Sequence, residues 1–262
     1  MKINRATVLV GRKVVLVPYR KQHVPRYHEW MKDSTIQEQT ASEPLSLQEE
    51  YEMQQSWAID EDKLTFIILA RPEGLQSEAG AEEMISACKM VGDVNIFFNP
   101  RHDEDEEDQD APTQGKQQDL PQSMAFDAEC EIMIAEHDYR RKGIAREALQ
   151  MMISFVTSDP TPKASSPSDT SAGSSTADPD ASSTASQDRE IHCTLPIPFE
   201  WLTCKISLSN DPSINLFESL GFTRHKVSQV WKEVEMRFTS SDVTLVQQCH
   251  SSIEQGLFWP QE

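Results

Sequence analysis

The chain has 262 residues, with 43 acidic against 24 basic side chains and a formal net charge of −19 at pH 7. Such a charge repels nucleic-acid phosphates and anionic lipids, so neither nucleic-acid nor membrane partners are expected. The apolar runs are far shorter than the roughly 20 residues of a membrane-spanning helix. The five cysteines are odd in number and include no C-x-x-C pair, so we expect a cytoplasmic protein without a bound metal. We also expect the protein to be a monomer.

Two segments are too polar to contribute to a core. Residues 99–124 carry about −6, mainly through the acidic run from Asp103 to Asp110, and residues 158–188 contain ten serines but no Ile, Leu, Val, Met or aromatic residue. Because burial cannot offset the entropy of ordering such chains, we expect disordered insertions at 99–124 and 158–190. They interrupt a single predicted domain, 1–238, which is followed by a C-terminal tail, 239–262.

The rest of the chain alternates between strand and helix patterns. Apolar or β-branched runs predict strands at residues 13–17, 64–70, 90–98, 128–135, 199–207 and 230–238. Helical spacing and capping signals predict helices at residues 24–31, 47–57 and 144–156, and after Asp211. Asp211 and Pro212 are expected to be the N-cap and first residue of that last helix. This pattern indicates a mixed α/β domain built around one sheet.

A basic turn, Tyr139-Arg-Arg-Lys-Gly-Ile-Ala145, separates the strand at 128–135 from the helix at 144–156. A loop that leads into a helix directs free backbone N–H groups and the positive end of the helix dipole at one point, and Gly143 lets an anion approach the backbone. The turn is therefore either a phosphate site or an ordinary strand-to-helix turn with exposed basic side chains. The chain has neither a G-x-G-x-x-G nor a G-x-x-x-x-G-K-[ST] motif, which sets two common nucleotide-binding loops aside.

A second element extends this motif. The order of strand, Arg140-x-x-Gly143-x-Ala145, helix, strand, Asn210, short helix and Leu220-Gly221-Phe222 resembles the GNAT superfamily of acetyl-CoA-dependent N-acetyltransferases. Stretches at 15–31, 91–95 and 132–136 are further similar to the eukaryotic N-acetyltransferase 9 group, on the branch that acetylates ribosomal-protein N-termini. The two polar insertions have no counterpart in the family.

The resemblance implies a mostly antiparallel sheet, flanked by helices, that splays between its fourth and fifth strands to hold acetyl-CoA. The backbone of residues 132–134 would pair with the pantetheine arm, and one of its amides would polarise the thioester oxygen. The pyrophosphate would lie on the amides of residues 141–145, although the family often has glycine where Arg141 stands. The implied cofactor-binding residues are Ile132, Met133, Ile134, Arg140, Arg141, Lys142, Gly143, Ile144, Ala145 and Asn210.

Direct transfer to an amine calls for a general base and a general acid. Glu129 and Glu131 lie one alternation apart on the same face of the strand next to the cofactor, a region where the family commonly places a base, so either could serve. Alternating acids are also typical of a solvent-exposed face. Many members of the family use a tyrosine as the general acid, and Phe217 stands at that position here. Ser213 could donate the proton, bond the cofactor or cap the helix.

The resemblance implies acetyl transfer from acetyl-CoA to an amine of a protein or peptide. Two alternatives remain open. The acceptor could be a small polyamine attracted by the acidic field, or the domain could bind acetyl-CoA or a protein without turnover. Acceptor selection is expected near residues 40–44 and in a hairpin around 227–230.

Overall fold

The computed structural model describes residues 2–40, 42–75, 80–101, 126–158 and 194–260. Nearly all of the two predicted insertions lies outside these described residues. The strands are β1 (Thr7–Val10), β2 (Val14–Pro18), β3 (Lys63–Ala70), β4 (Lys89–Pro100), β5 (Phe126–Ile134), β6 (Leu202–Ser207), β7 (Phe222–Ser228), β8 (Glu233–Phe238) and β9 (Gln255–Phe258). The helices are α1 (Val24–Trp30), α2 (Ser34–Gln39), α3 (Leu47–Ile59), α4 (Ala81–Ala87), α5 (Ile144–Thr157), α6 (Asp211–Glu218) and α7 (Val243–His250).

The described strands form one sheet in the order β7-β8-β6-β5-β4-β3-β2-β1-β9. Every neighbouring pair is antiparallel except β5 and β6, which run parallel. A parallel pair needs a crossover connection, and α5 lies on the connection between these two strands. The predicted mixed, mostly antiparallel architecture is confirmed. The fourth and fifth strands predicted from the sequence correspond to β5 and β6 of the structure. The numbers differ by one because the short strand β1 precedes the first predicted strand.

Both faces of the central sheet are covered, which explains the uninterrupted apolar runs in its strands. Along β2, Leu16 packs into one hydrophobic cluster with α5 side chains such as Leu149. Val15 and Val17 point to the other face, into a second cluster with Trp30 of α1. Within the described ranges, no helix is long and apolar enough to cross a membrane.

The segment assigned to a C-terminal tail, 239–262, instead contributes to the sheet. Its helix α7 buries Cys249, and its strand β9 pairs with β1 from Thr7 opposite Phe258 to Val10 opposite Gln255. A strand that is hydrogen-bonded along an edge of the sheet belongs to the same folded unit, so the domain continues past its predicted end at residue 238. Strand β9 is short and none of its side chains is fully buried, and its sequence lacks the apolar alternation that would predict a strand.

Strand ends also differ from the predictions. β4 continues to Pro100, which pairs with Phe126, so the start of the first predicted insertion belongs to the sheet. The last predicted strand begins at Glu233 rather than Val230, because residues 229–232 form the turn of a hairpin with β7. The side chains at 223–227 are all exposed, so β7 has no apolar alternation that could have indicated a strand.

Candidate active site

The parallel strands β5 and β6 diverge soon after they meet. They pair at two positions, Ala128 with Leu202 and Glu129 with Thr203. Further along β5, residues 132–134 pair with β4 on one side, but no described strand pairs with them on the other. Unpaired backbone N–H and C=O groups of this kind can accept an extended ligand as though it were another strand. The splay therefore exposes the stretch of backbone at which the pantetheine arm is expected.

The turn after β5 leaves the N-terminus of α5 open. Gly143 is the N-cap in the left-handed conformation, with φ +80°, and as glycine it supplies no side chain to bond the first-turn amides. Arg141, where the family often has glycine, also has a positive φ of 58°. Since the free amides and the helix dipole favour an anion at this point, the local geometry suits a phosphate group.

Cationic side chains surround this turn. Arg140 donates from Nε to the backbone oxygen of Ile134 (2.8 Å), which fixes the turn against the end of β5. Lys13, in the turn between β1 and β2, donates from Nζ to the backbone oxygen of Lys142 (2.9 Å). A Cβ atom on Gly143 would lie 3.1 Å from that same ammonium. Lys13 is 129 residues away in the sequence, and no local pattern marks it as part of this site.

A cleft of about 450 Å³ connects the splay with the turn. It brings together nine of the predicted site residues, namely Ile132, Met133, Ile134, Arg140, Arg141, Gly143, Ala145, Asn210 and Ser213. Four predicted residues do not line it. Ile144 is buried in the hydrophobic core and Lys142 is exposed, with its ammonium 5.3 Å from the ring centroid of Tyr139. Glu129 and Glu131 lie farther back along β5.

Helix α2 forms a wall of the cleft that the sequence did not predict, through Ile36 and Gln39. Thr40, in the region predicted to select the acceptor, and Tyr139, from the basic turn, line the cleft as well. Helix α2 begins after Asp33, whose carboxylate accepts a hydrogen bond from the Thr35 amide (2.8 Å). The sequence Asp-Ser-Thr is a recognisable N-cap signal that could have predicted this helix.

The two candidate bases have different surroundings. Glu129 accepts a hydrogen bond from the Lys205 ammonium (2.9 Å), which joins β5 to β6 where they begin to separate. Glu131 has no salt bridge with a described residue, and solvent reaches its side chain. Partial loss of hydration raises the pKa of Glu131 to about 7; the carboxylates of Glu129 and Asp93 add to the rise and Lys205 opposes it. A carboxylate with such a pKa is suited to accept a proton near neutral pH, so the surroundings favour Glu131 over Glu129.

Helix α6 forms the wall opposite the basic turn. Its N-cap is Asn210, not the predicted Asp211: the Asn210 side-chain oxygen accepts from the Ser213 amide (3.2 Å), and Asp211 is already helical. Ser213 lines the cleft, whereas Phe217 points into the core and packs edge-on against Phe222, with ring centroids 5.0 Å apart. The helix therefore offers a serine hydroxyl to the cleft and no aromatic hydroxyl at 217.

In the described part of the chain, no group of three or more His, Cys, Asp or Glu side chains is arranged to hold a metal ion. The features on which the site is built are the open backbone amides at the start of α5, the cations beside that turn and, farther back along β5, the Glu131 carboxylate with its raised pKa. Those features match an acyl-transfer site that binds its donor through phosphates.

Sequence comparison agrees with the fold. The family model described as "Acetyltransferase (GNAT) domain" matches residues 13–223, and the chain belongs to this family of acetyltransferases. The predicted family membership is confirmed, and the protein is an N-acetyltransferase.

Two curated relatives cover nearly the whole chain. An "N-acetyltransferase 9-like protein" from Nematostella vectensis is 38% identical over 93% of this chain and 91% of its own. The "Alpha/beta-tubulin-N-acetyltransferase 9" of Homo sapiens is 39% identical over 92% of this chain and 87% of its own. These similarities place the chain beside the N-acetyltransferase 9 proteins within the family.

Solved structures share the fold at low sequence identity. A protein from Bacillus halodurans, 11% identical, covers 95% of this chain and 96% of its own with a TM-score of 0.50. The spermidine N-acetyltransferase from Vibrio cholerae, solved in complex with CoA and spermine, is 13% identical and covers 86% of this chain and 93% of its own with a TM-score of 0.49.

Proposed function

We propose that the protein transfers an acetyl group from acetyl-CoA directly to an amine of a protein or peptide. The observation that carries the proposal is the open N-terminus of α5, which faces the same cleft as the unpaired backbone of residues 132–134. The two features together can hold a pyrophosphate and an extended thioester arm. The names of relatives at 38–39% identity, which include alpha/beta-tubulin-N-acetyltransferases, support a protein acceptor.

In this proposal the donor is held mainly by the backbone. The amides of residues 143–145 and the cations Arg140, Arg141 and Lys13 bind the phosphates, and the edge of β5 orients the thioester. One β5 amide donates to the carbonyl oxygen as negative charge develops there. Asn210 acts as the α6 cap and helps to shape the opposite wall.

We assign the proton acceptor to Glu131. The acceptor amine arrives as an ammonium ion and must lose a proton before its nitrogen attacks the thioester carbon. Glu131 takes that proton, directly or through water, and later releases it to solvent. The second proton, lost from nitrogen as the amide forms, ends on the CoA sulfur. Ser213 is the hydroxyl on α6 that can relay this proton: it gives its own proton to the sulfur and takes up the one that the nitrogen loses, whereas Phe217 has no hydroxyl.

Turnover assays with three kinds of acceptor test the proposal. CoA release is measured with a peptide that has a free N-terminus and no lysine, with an N-terminally blocked peptide that has one lysine, and with spermidine. Turnover of either peptide but not of spermidine supports the proposal and also identifies the amine. Turnover of spermidine alone would make the acceptor a polyamine, and acetyl-CoA binding without any turnover would make the domain a binding module.

A matched pair of variants tests the donor site. Gly143→Glu places a carboxylate and a side chain where the phosphates are expected and should abolish acetyl-CoA binding. Gly74 has nearly the same φ, +82°, with nothing within 4 Å of a Cβ, so Gly74→Glu carries the same backbone strain without touching the cleft. Unimpaired binding by the Gly143 variant would contradict the proposed site.

We also propose that the protein works in the reducing cytoplasm. The cysteines of the described residues, Cys88, Cys130, Cys204 and Cys249, are free thiols, which supports this compartment. Imaging of the tagged full chain in cells would test it.

A further inference from the structure

A group of polar side chains is buried in the sheet directly beside Glu131. Asp93 and Asn95, on β4, are 2% and 6% exposed, and Thr65, on β3, is 1% exposed. In the strand register Thr65, Asn95 and Glu131 lie opposite one another across three neighbouring strands, and Asp93 follows two residues along β4 from Asn95 on the same face. A carboxylate in the middle of a covered sheet opposes folding unless it is paired, so its presence calls for a reason.

No cation among the described residues pairs with the negative charge of Asp93. Its Oδ2 accepts from the Asn95 amide (2.9 Å), whereas its Oδ1 and the Asn95 Oδ1 have no hydrogen-bond donor among the described residues. The titratable groups coupled to Asp93 come from the elements packed around it: Tyr27 on α1, Tyr19 after β2 and Glu131 on β5. All of these are neutral or anionic.

We propose that Asp93 is a positioning residue for acetyl transfer: its buried carboxylate, one diagonal step from Glu131 across the β4–β5 pair, strengthens Glu131 as the acceptor of the amine's proton. Diagonal neighbours in an antiparallel pair are about 7–8 Å apart, close enough for one charge to act on the other through a protein interior of low dielectric. The proposal rests on the function of Glu131 proposed above.

The ionisation of the two carboxylates agrees with this arrangement. Burial raises the pKa of Asp93 to about 6, and the hydrogen bonds of Asn95 and Tyr27 limit the rise. Loss of hydration first, then Glu129, then Asp93 raise the pKa of Glu131, while Lys205 lowers it. Near neutral pH Asp93 is therefore mostly ionised and Glu131 is close to its midpoint, so the pair titrates as a coupled unit. The proton moves only from the ammonium ion to Glu131, and Asp93 influences that transfer without touching the amine.

A structural role for Asp93 makes a different prediction. If the carboxylate only anchors α1 to the sheet through Tyr27, its replacement would change stability and leave the pH dependence of turnover unaltered. Electrostatic action on Glu131 instead changes the pH at which turnover begins, because a like charge disfavours ionisation of its neighbour. The pH profile therefore separates the two roles.

The test measures kcat/KM for the acceptor peptide from pH 5.5 to 9 in the full-length wild type, Asp93→Asn and Thr65→Val. We expect the wild-type profile to rise with an apparent pKa near 7. Asp93→Asn should move this rise to lower pH by about half a unit and lower the alkaline plateau several-fold, because a weaker base accepts the proton less well. The KM for acetyl-CoA should not change. Thr65→Val is the control, since it alters the same buried row without a charge, and its profile should match the wild type. An unmoved rise in Asp93→Asn would overturn the proposal.

Two more variants keep the test decisive. Asn95→Asp adds a carboxylate directly opposite Glu131 and should move the rise to higher pH; if Asp93→Asn does not fold, an unmoved profile in this variant overturns the proposal in its place. Glu131→Gln tests the base itself. If Glu131→Gln keeps full activity and the same pH profile, the proposed base is wrong, whereas loss of activity there with an unmoved Asp93→Asn profile contradicts the role of Asp93 alone.

Discussion

The ammonium group of Lys13 donates a hydrogen bond of 2.9 Å to the backbone oxygen of Lys142 and so joins the β1–β2 turn to the turn that precedes α5. The backbone amide of Lys13 is held in addition by the Glu147 carboxylate (2.8 Å). Lys13 is thereby fixed beside Gly143 as a further cation at the proposed phosphate position.

We expect Lys13→Met to weaken acetyl-CoA binding about threefold to tenfold, the effect of losing one exposed charge near a phosphate. The substitution keeps the length of the side chain, and the backbone bond to Glu147 does not depend on it. Calorimetric titration with CoA measures the effect, and increasing salt should reduce the difference from the wild type. Lys32→Met, which changes an exposed lysine that does not line the cleft, is the control. Equal affinities of the wild type and the two variants for CoA would show that Lys13 does not contribute to phosphate binding.

Among the described residues, two that carry side chains adopt a positive φ, Arg141 at 58° and Lys232 at 54°. Glycine adopts this conformation without steric cost, so Arg141→Gly and Lys232→Gly should each raise the free energy of unfolding by about 0.5–1 kcal/mol. Urea unfolding measures both. Acetyl-CoA affinity should fall in the Arg141 variant alone, because its guanidinium lines the cleft. An equal loss of affinity in the Lys232 variant would show that the effect comes from backbone flexibility and not from loss of the Arg141 charge.

Strong local patterns account for the part of the structure that the sequence predicted. The capping box of Ser46 and Glu49 forms as expected, with the Glu49 carboxylate accepting from the Ser46 amide (2.7 Å). The basic turn also lies where its position between strand and helix placed it. The interactions that form these features join residues within a few positions of one another, so a short stretch of sequence is enough to predict them.

Contacts between distant residues could not be predicted in the same way. The partner of Glu129 is Lys205, 76 residues later in the sequence. Both glutamates lie on the same face of β5, so the alternation of the strand does not indicate which of them is the better base. Asp93 lies in an apolar strand, where its burial follows only from the helices that cover that face. The sequence thus supplied the candidate bases, and the choice between them required the tertiary structure.

The ion pair between Lys205 and Glu129 predicts a second change in pH dependence. Lys205 lowers the pKa of Glu131 while Glu129 raises it, so Lys205→Met should leave the charge of Glu129 uncompensated. The rise of kcat/KM should then move to higher pH, opposite in direction to the change expected for Asp93→Asn. The measurement is the same peptide assay across pH, with Lys226→Met as an exposed control on β7. A shift to lower pH in the Lys205 variant would show that Glu131 does not govern the rise.

The raised pKa of Asp93 also affects stability. The folded protein binds this proton more tightly than the unfolded chain, with a pKa of about 6 against 3.8. The resulting stabilisation is complete below about pH 4 and is lost as the pH rises through 6; a difference of about two units corresponds to about 3 kcal/mol. Asp93→Asn removes this dependence, so its free energy of unfolding should rise relative to wild type between pH 4 and 7. Urea unfolding at pH 4.5, 5.5, 6.5 and 7.5 measures the difference.

His23 has the opposite influence on stability in the same pH range. Burial first and then the nearby Arg20 lower the pKa of His23 to about 4, so its contribution is lost as the pH falls below about 6.5. Because His23 is present in both proteins, its effect cancels when Asp93→Asn is compared with the wild type. Parallel stability curves for the two proteins would mean that the pKa of Asp93 does not rise on folding.

At the far edge of the sheet, Arg20 stacks its guanidinium over the Trp259 ring, 3.5 Å from the ring centroid, and donates to the Trp259 backbone oxygen (2.6 Å). Trp259 is 8% exposed, whereas its neighbour Phe258 is 73% exposed. Trp259→Ala should therefore lower the free energy of unfolding by about 3 kcal/mol, and Phe258→Ala should change it by less than about 0.5 kcal/mol. Because β9 and the β5–β6 splay are separated by four strands, acetyl-CoA affinity should remain unchanged in both variants at temperatures where they are folded. Equal stability of the two variants would show that β9 is not held to the sheet through Trp259, and a loss of affinity in the folded Trp259 variant would reveal coupling between the sheet edge and the cleft.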